Sequence, residues 1–367
     1  MADKPLMSSR RFWMLAAVGL LVFFYMVKGI LLPFVVGLGA AYFLDPAADK
    51  LEKWGCSRNL ATALITLAFF TVLMGAVAAL APVLYQQLSG LIRELPSYIQ
   101  AAQRTYQPQL EAWLAAFGQG AGAPEDTIGG LAAEIAQLSS SVLTGLLKSG
   151  GAVFSLASLI VLTPVVTFYL LRDWDRLVIK LDELLPRDHA QTIRQQMREI
   201  DRTLASFVRG QINVCMILGV FYAVGLSLAG LKFAVLIGVA AGLLVIVPYV
   251  GTVISALLSL GIAYMQFGNL EDVATVGAVF VTGQMLEGYF LTPKLVGSRV
   301  GLHPVWVIFG MLAGGALFGF VGVLLAVPTS AVVGVLVRFA IEQYKRSDAY
   351  AAAPDPAPRR RKAPANP

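Results

Sequence analysis

Glu287 is the only acidic residue inside the long apolar runs of this chain, in the stretch 273–292 (VATVGAVFVTGQMLEGYFLT). Placing a carboxylate in hydrocarbon costs about 3 kcal/mol on insertion scales. Side chains that carry such a cost pair with another group, face water, or mark a solute or ion path. Gln284 lies three residues earlier, on the same face of a regular helix. A second polar group, Arg209-Gly-Gln-Ile-Asn213, opens another apolar run and supplies Arg209, Gln211 and Asn213. Glu287 and Arg209 fall at similar depth near the same membrane face, close enough to pair. Two readings stay open. Either the pair and the amides clip two helices together, or Glu287 titrates or coordinates a cation while the amides bind a polar solute.

These groups must be positioned by membrane-embedded helices. Residues are 57% hydrophobic and 14% charged, where a soluble domain carries about 25% charged residues. Apolar runs occupy 12–27, 30–44, 60–84, 152–171, 207–229, 233–260, 273–292 and 304–339. The expected fold is therefore all-α: a polytopic transmembrane protein of about eight membrane segments. The net charge of +6 sits at span ends and in the tail, as the positive-inside rule requires, which argues against nucleic acid as a partner and for membrane lipid. Cys56, Cys215, His189 and His303 have no metal-ligand spacing, so no metal or cofactor is expected. There is no P-loop and no nucleophile elbow, so the chain reads as a non-enzyme that does not itself bind ATP.

Loop charge sets the orientation. Residues 172–205 carry seven Lys/Arg and residues 85–150 only three, which places the first loop in the cytoplasm and the second outside. Two spans must then precede Asp45, with both termini cytoplasmic, and 12–27 reads as an uncleaved signal anchor. Asp45-Pro46 reads as a helix stop, and His303 as an interfacial cap or a proton-linked switch. Four units follow: N-terminal transmembrane segments 1–84, an extracytoplasmic helical insert 85–150, a core with broken helices 151–346, and a disordered basic tail 347–367. In the insert, Leu84, Leu88, Leu91 and Leu95 form one stripe, and Ile128, Leu131, Ile135, Leu138 and Val142 another. They either pack as a hairpin on each other or form a seam between protomers.

Two apolar segments are interrupted. One carries Pro248-Tyr249-Val-Gly251, and the other carries glycines from Gly314 to Gly322, including Gly319. A shift of 71 residues lays Pro248-Tyr-Val-Gly251 on Gly319-Phe-Val-Gly322. Paired Gly/Pro-interrupted segments point to a transporter's binding region. As re-entrant hairpins separated by one span they would enter from opposite sides, with Pro248, Tyr249, Gly251, Gly319 and Gly322 lining the path. As ordinary kinked helices they would carry glycines only for close packing.

The ordered set Tyr42-Phe-Leu-Asp-Pro46, Thr163-Pro-Val-Val-Thr-Phe-Tyr-Leu-Leu-Arg-Asp173, Arg209-Gly-Gln211, Val247-Pro-Tyr-Val-Gly251, Gln284-Met-Leu-Glu-Gly288, Gly301-Leu-His-Pro304 and Phe318-Gly-Phe-Val-Gly322 resembles the autoinducer-2 exporter family. The resemblance covers roughly residues 12–340. It implies an oligomeric, elevator-like transporter of the bacterial inner membrane, a homo-oligomer and by resemblance a pentamer. The cargo would be a small polar solute such as autoinducer-2. Sodium- or lithium/proton antiport is the alternative that the resemblance also allows, with Na+ or H+ as partner. A non-transporting oligomeric membrane scaffold is the third reading.

Overall fold

The computed structural model describes residues 19, 23, 25–117, 150–247, 250–296, 303–347 and 350. Every regular element among them is helical. A short 3-10 turn, Lys28–Ile30, leads into α1 (Leu31–Lys53), α2 (Arg58–Phe117), α3 (Gly150–Glu183) and α4 (Ala190–Leu228). Next come α5 (Ala234–Leu244), α6 (Val250–Phe267), α7 (Leu270–Met285), a π-helical stretch (Leu286–Val296) and α8 (Pro304–Lys345). Five helices are long and apolar enough to cross a membrane. The all-helical, membrane-embedded expectation therefore holds. The second insert stripe (128–142), the first apolar run apart from Gly19, Phe23, Tyr25, Met26 and Val27, and nearly all of the tail lie outside the described residues.

Helices α1, α2 and α3 form one packed group. Gly37 of α1 lets Val166 of α3 approach so closely that a Cβ would lie 2.8 Å from Val166 Cγ1. Thr167 donates to the Gly37 carbonyl at 3.2 Å. At one end Arg58 donates to Asp49 (2.8 Å), Glu52 (3.2 Å), Asp45 (3.3 Å) and the Leu171 carbonyl (2.9 Å). One guanidinium thereby joins all three helices.

Helix α4 is the spine of the second group. Its buried face, Val214, Leu218, Tyr222 and Leu226, packs with Ile237 and Ala241 of α5 and Val276 and Phe280 of α7. Glycines set the spacing: a Cβ on Gly238 would run into the Ala223 backbone, and one on Gly242 into Gly219.

Both interrupted segments fold back on themselves. In the first, Gly251 at the start of α6 lies directly against Leu244 at the end of α5. At the open end, Gln266 accepts from the Lys232 amide and donates to the Gly230 carbonyl, both at 2.8 Å. In the second, Gly319 turns the chain with φ 61° and ψ −139°. A Cβ on Gly314 would then sit 2.5 Å from the Gly322 carbonyl oxygen, and one on Gly310 2.5 Å from Ser330 Oγ. A straight helix would hold Gly314 and Gly322 about 12 Å apart, so α8 is two antiparallel legs. The open end of the first hairpin lies at the C-terminal end of α4, which Leu231 and Phe233 follow directly. That of the second lies at the other end, where Leu336 and Phe339 share a groove with Ile193 and Ile200 of α4. The two tips point in opposite directions.

One expectation needs correction. Pro46 does not stop a helix; α1 runs through it to Lys53. Helix α2 continues past residue 84 as one helix, from Arg58 to Phe117. The first insert stripe packs on the first hairpin: Leu91 and Tyr98 join the α4–α7 core. Gln87 accepts from the Leu236 amide at 2.8 Å, Glu94 pairs with Lys232 at 3.0 Å, and Gly90 lies beneath the Phe233 ring. These contacts hold Phe233 in the left-handed region (φ 62°), a conformation that costs about 1–3 kcal/mol and persists only when its surroundings enforce it.

Candidate functional site

The expected polar groups resolve into two clusters on different faces of α4. Arg209 belongs to the first and does not pair with Glu287. Its Nε donates to the Tyr42 carbonyl of α1 at 3.0 Å. That carbonyl is free because Pro46, four residues on, has no N–H to return the helical bond. Arg209 therefore supplies the donor that the proline removed. The Tyr42 hydroxyl donates to Asp201 of α4 at 3.0 Å, and its ring meets Trp174 edge-on at 5.8 Å. Asp45, Asp201 and Arg209 line a small cavity of about 60 Å³ here. Asn213 follows Arg209 by one turn and is half-buried.

Gln211 and Glu287 belong to the second cluster. Gln211 donates to the Val245 carbonyl at 2.9 Å, anchoring the tip of the first hairpin to α4. Its amide also lies 4.0 Å from Cys215 Sγ. Glu287 is close enough to act electrostatically on both Cys215 and Tyr222. Tyr222 stacks on Phe280 at 4.9 Å and rests on Gly283, where a Cβ would lie 2.5 Å from its hydroxyl. Two buried polar atoms here have no hydrogen-bond partner among the described residues: Glu287 Oε2 and the Tyr222 hydroxyl. Such orphans are rare, and each calls for a functional or structural reason.

Glu287 is the second residue of the π-helical stretch. Pro293 lies inside it and cannot donate to the carbonyl four residues back, which a wider turn accommodates. Gln284, three residues before Glu287 at the end of α7, is exposed. Of the path-lining candidates, Gly251, Gly319 and Gly322 sit at the two hairpin turns, whereas Pro248 and Tyr249 lie outside the described residues. No group of three or more His, Cys, Asp or Glu able to hold a metal ion occurs among the described residues.

Tyr222 and Gly283 were missed at the sequence level. A tyrosine midway along an apolar run, whose hydroxyl needs a partner when buried, was the available signal. For Arg209 the signal was arithmetic, since a proline inside a continuing helix exposes the carbonyl four residues before it.

The pattern described as AI-2E family transporter matches residues 14–342. The chain is 27% identical over 346 residues to "Putative transport protein YueF" of Bacillus subtilis, covering 89% of this chain and 92% of that protein. It is 27% identical over 333 residues to "Putative permease PerM" of Escherichia coli K12, covering 89% and 90%. It is 28% identical over 315 residues to "Putative transport protein YrrI" of Bacillus subtilis, covering 86% and 88%.

Proposed function

Because the chain belongs to the AI-2E transporter family, we propose that it is a secondary transporter that exports a small polar solute, of the autoinducer-2 type, across the bacterial inner membrane. The observation that carries this reading is the second cluster: a buried carboxylate oxygen and a buried hydroxyl, both unpartnered among the described residues, beside a hairpin tip and at the start of a π-helical stretch. A solute with hydroxyl groups would satisfy both orphans, and Gln211 would couple its arrival to the hairpin tip.

In this reading the two hairpins are re-entrant. The first leg of α8 reaches Gly319 in about 22 Å, short of the roughly 30 Å hydrocarbon core. With the helices flanking them they complete about eight membrane segments, both termini cytoplasmic. Helices α1–α3 would be the stationary part of a homo-oligomer and α4–α8 the moving one, with Arg209 at the contact between them rather than on the solute. The carboxylate lends itself to coupling through a proton or sodium gradient.

The test reconstitutes the protein and Glu287→Gln in liposomes, imposes sodium and proton gradients, and follows internal pH and a labelled polyhydroxylated solute. Solute movement in the parent protein that the variant loses supports export through Glu287. Sodium-dependent pH change without solute movement, lost in the variant, would replace export with antiport. Full folding with neither signal in the parent protein would leave the scaffold reading.

A further inference from the structure

Helix α8 packs against α4 along one side and leaves the other open: Trp306, Phe309, Leu312 and Phe320 are 60–71% exposed. On this side a groove of about 680 Å³ runs between the two legs, walled by residues such as Trp306, Ala313, Leu317 and Leu325. The close approach at Gly314 and Gly322 forms its floor. An apolar groove facing hydrocarbon takes up acyl chains of any lipid. Its mouth is selective.

His303 and Arg338 both line the groove at its open end, and they are its only titratable lining residues among those described. Arg338 is exposed and makes no ion pair among the described residues, even with Glu342 one turn on. His303 Nδ1 accepts from the Val305 amide at 3.4 Å, which leaves Nε2 as the outward donor. A guanidinium and an imidazole N–H above an apolar slot match a phosphate above acyl chains, and basic pockets between membrane helices bind anionic headgroups in this way. We propose that the α8 groove is a binding site for an anionic phospholipid, with one acyl chain between the legs and the phosphate held by Arg338 and His303. The site is separate from Glu287, so it stands or falls independently of the transport reading.

The full-length protein is purified in detergent, equilibrated with equimolar phosphatidylglycerol and phosphatidylcholine, and its retained lipid counted by native mass spectrometry. The parent protein should retain phosphatidylglycerol about fivefold over phosphatidylcholine, the value of one basic residue at a membrane surface. Arg338→Gln should bring the ratio close to one, Arg338→Lys should restore it, and Thr329→Trp, which fills the groove from an exposed lining position, should remove both lipids. A parent protein without preference, an unchanged ratio in Arg338→Gln, or full retention in Thr329→Trp would each overturn the proposal. Thr329→Trp acting by lowering the oligomer mass would also overturn it, because the groove would then hold a second copy of the chain.

Discussion

The coupling of Arg209 to Pro46 can be measured directly. Arg209→Met removes the donor to the Tyr42 carbonyl. A hydrogen bond from a charged donor contributes about 1.5–3 kcal/mol, and a carbonyl left unsatisfied costs about 1–3 kcal/mol. Because Arg209 is half-buried, the lower part of that range applies, and the expected loss is about 2 kcal/mol. Pro46→Ala restores an N–H four residues after Tyr42, so the carbonyl regains its helical partner. In that background Arg209→Met should cost about 0.5–1 kcal/mol, the residue of charge interactions with Asp45 and Asp201. The double-mutant cycle should therefore show coupling of at least 1 kcal/mol. Equilibrium unfolding in one mixed-micelle system, with all four proteins followed by the same probe, reads it out. Additivity within about 0.3–0.5 kcal/mol, the limit for independent sites, would refute the argument and return Arg209 to a purely electrostatic role.

Tyr222→Phe deletes a buried hydroxyl that has no partner among the described residues, so unfolding free energy should stay level or rise by up to about 1 kcal/mol; solute flux in liposomes should nevertheless fall, and unchanged flux would remove Tyr222 from the site. Gly242→Ala sets a Cβ against the Gly219 backbone, whereas Gly219→Ala sets one at an ordinary 3.5 Å from Gly242 Cα. The first should destabilise by about 1–3 kcal/mol or more and the second should be neutral or stabilise by up to about 1 kcal/mol, a difference of sign that the same unfolding assay resolves. At the clamp on the first hairpin, Gln87→Ala strands the Leu236 amide and should cost about 1 kcal/mol or more. Glu94→Ala breaks an exposed ion pair, should cost less than about 1 kcal/mol, and should lose even that at high salt.

Much of the architecture was legible because membrane helices declare themselves in composition and because a lone carboxylate among apolar residues is conspicuous. The two interruptions were legible too: Gly319 and the glycines around it mark one, and the repeat at 71 residues pointed to a matching one near Gly251, but the sequence left a fold-back and a kink equally open. The partner of Arg209 was not legible as an ion pair, because its acceptor is a backbone carbonyl on a helix 167 residues away. Depth along the membrane, which loop charges do report, says nothing about which face of α4 a side chain occupies. The π turn was hidden for a similar reason, since the sequence around Glu287 has an unremarkable helical pattern apart from Pro293. The fate of the first insert stripe depended on a surface, the base of the first hairpin, that exists only after folding.

Gly314 and Gly322 have a consequence for how this sequence can change over time. Each lies where a Cβ on the other would meet backbone, not side chain. Shrinking a neighbour therefore cannot make room, and no second substitution at the facing position rescues the first. A paired library covering both sites should return glycine at each, with no compensating combination. Most of α8 is free to drift among apolar residues, but this pair is a fixed point in sequence space, reachable by descent and not easily left.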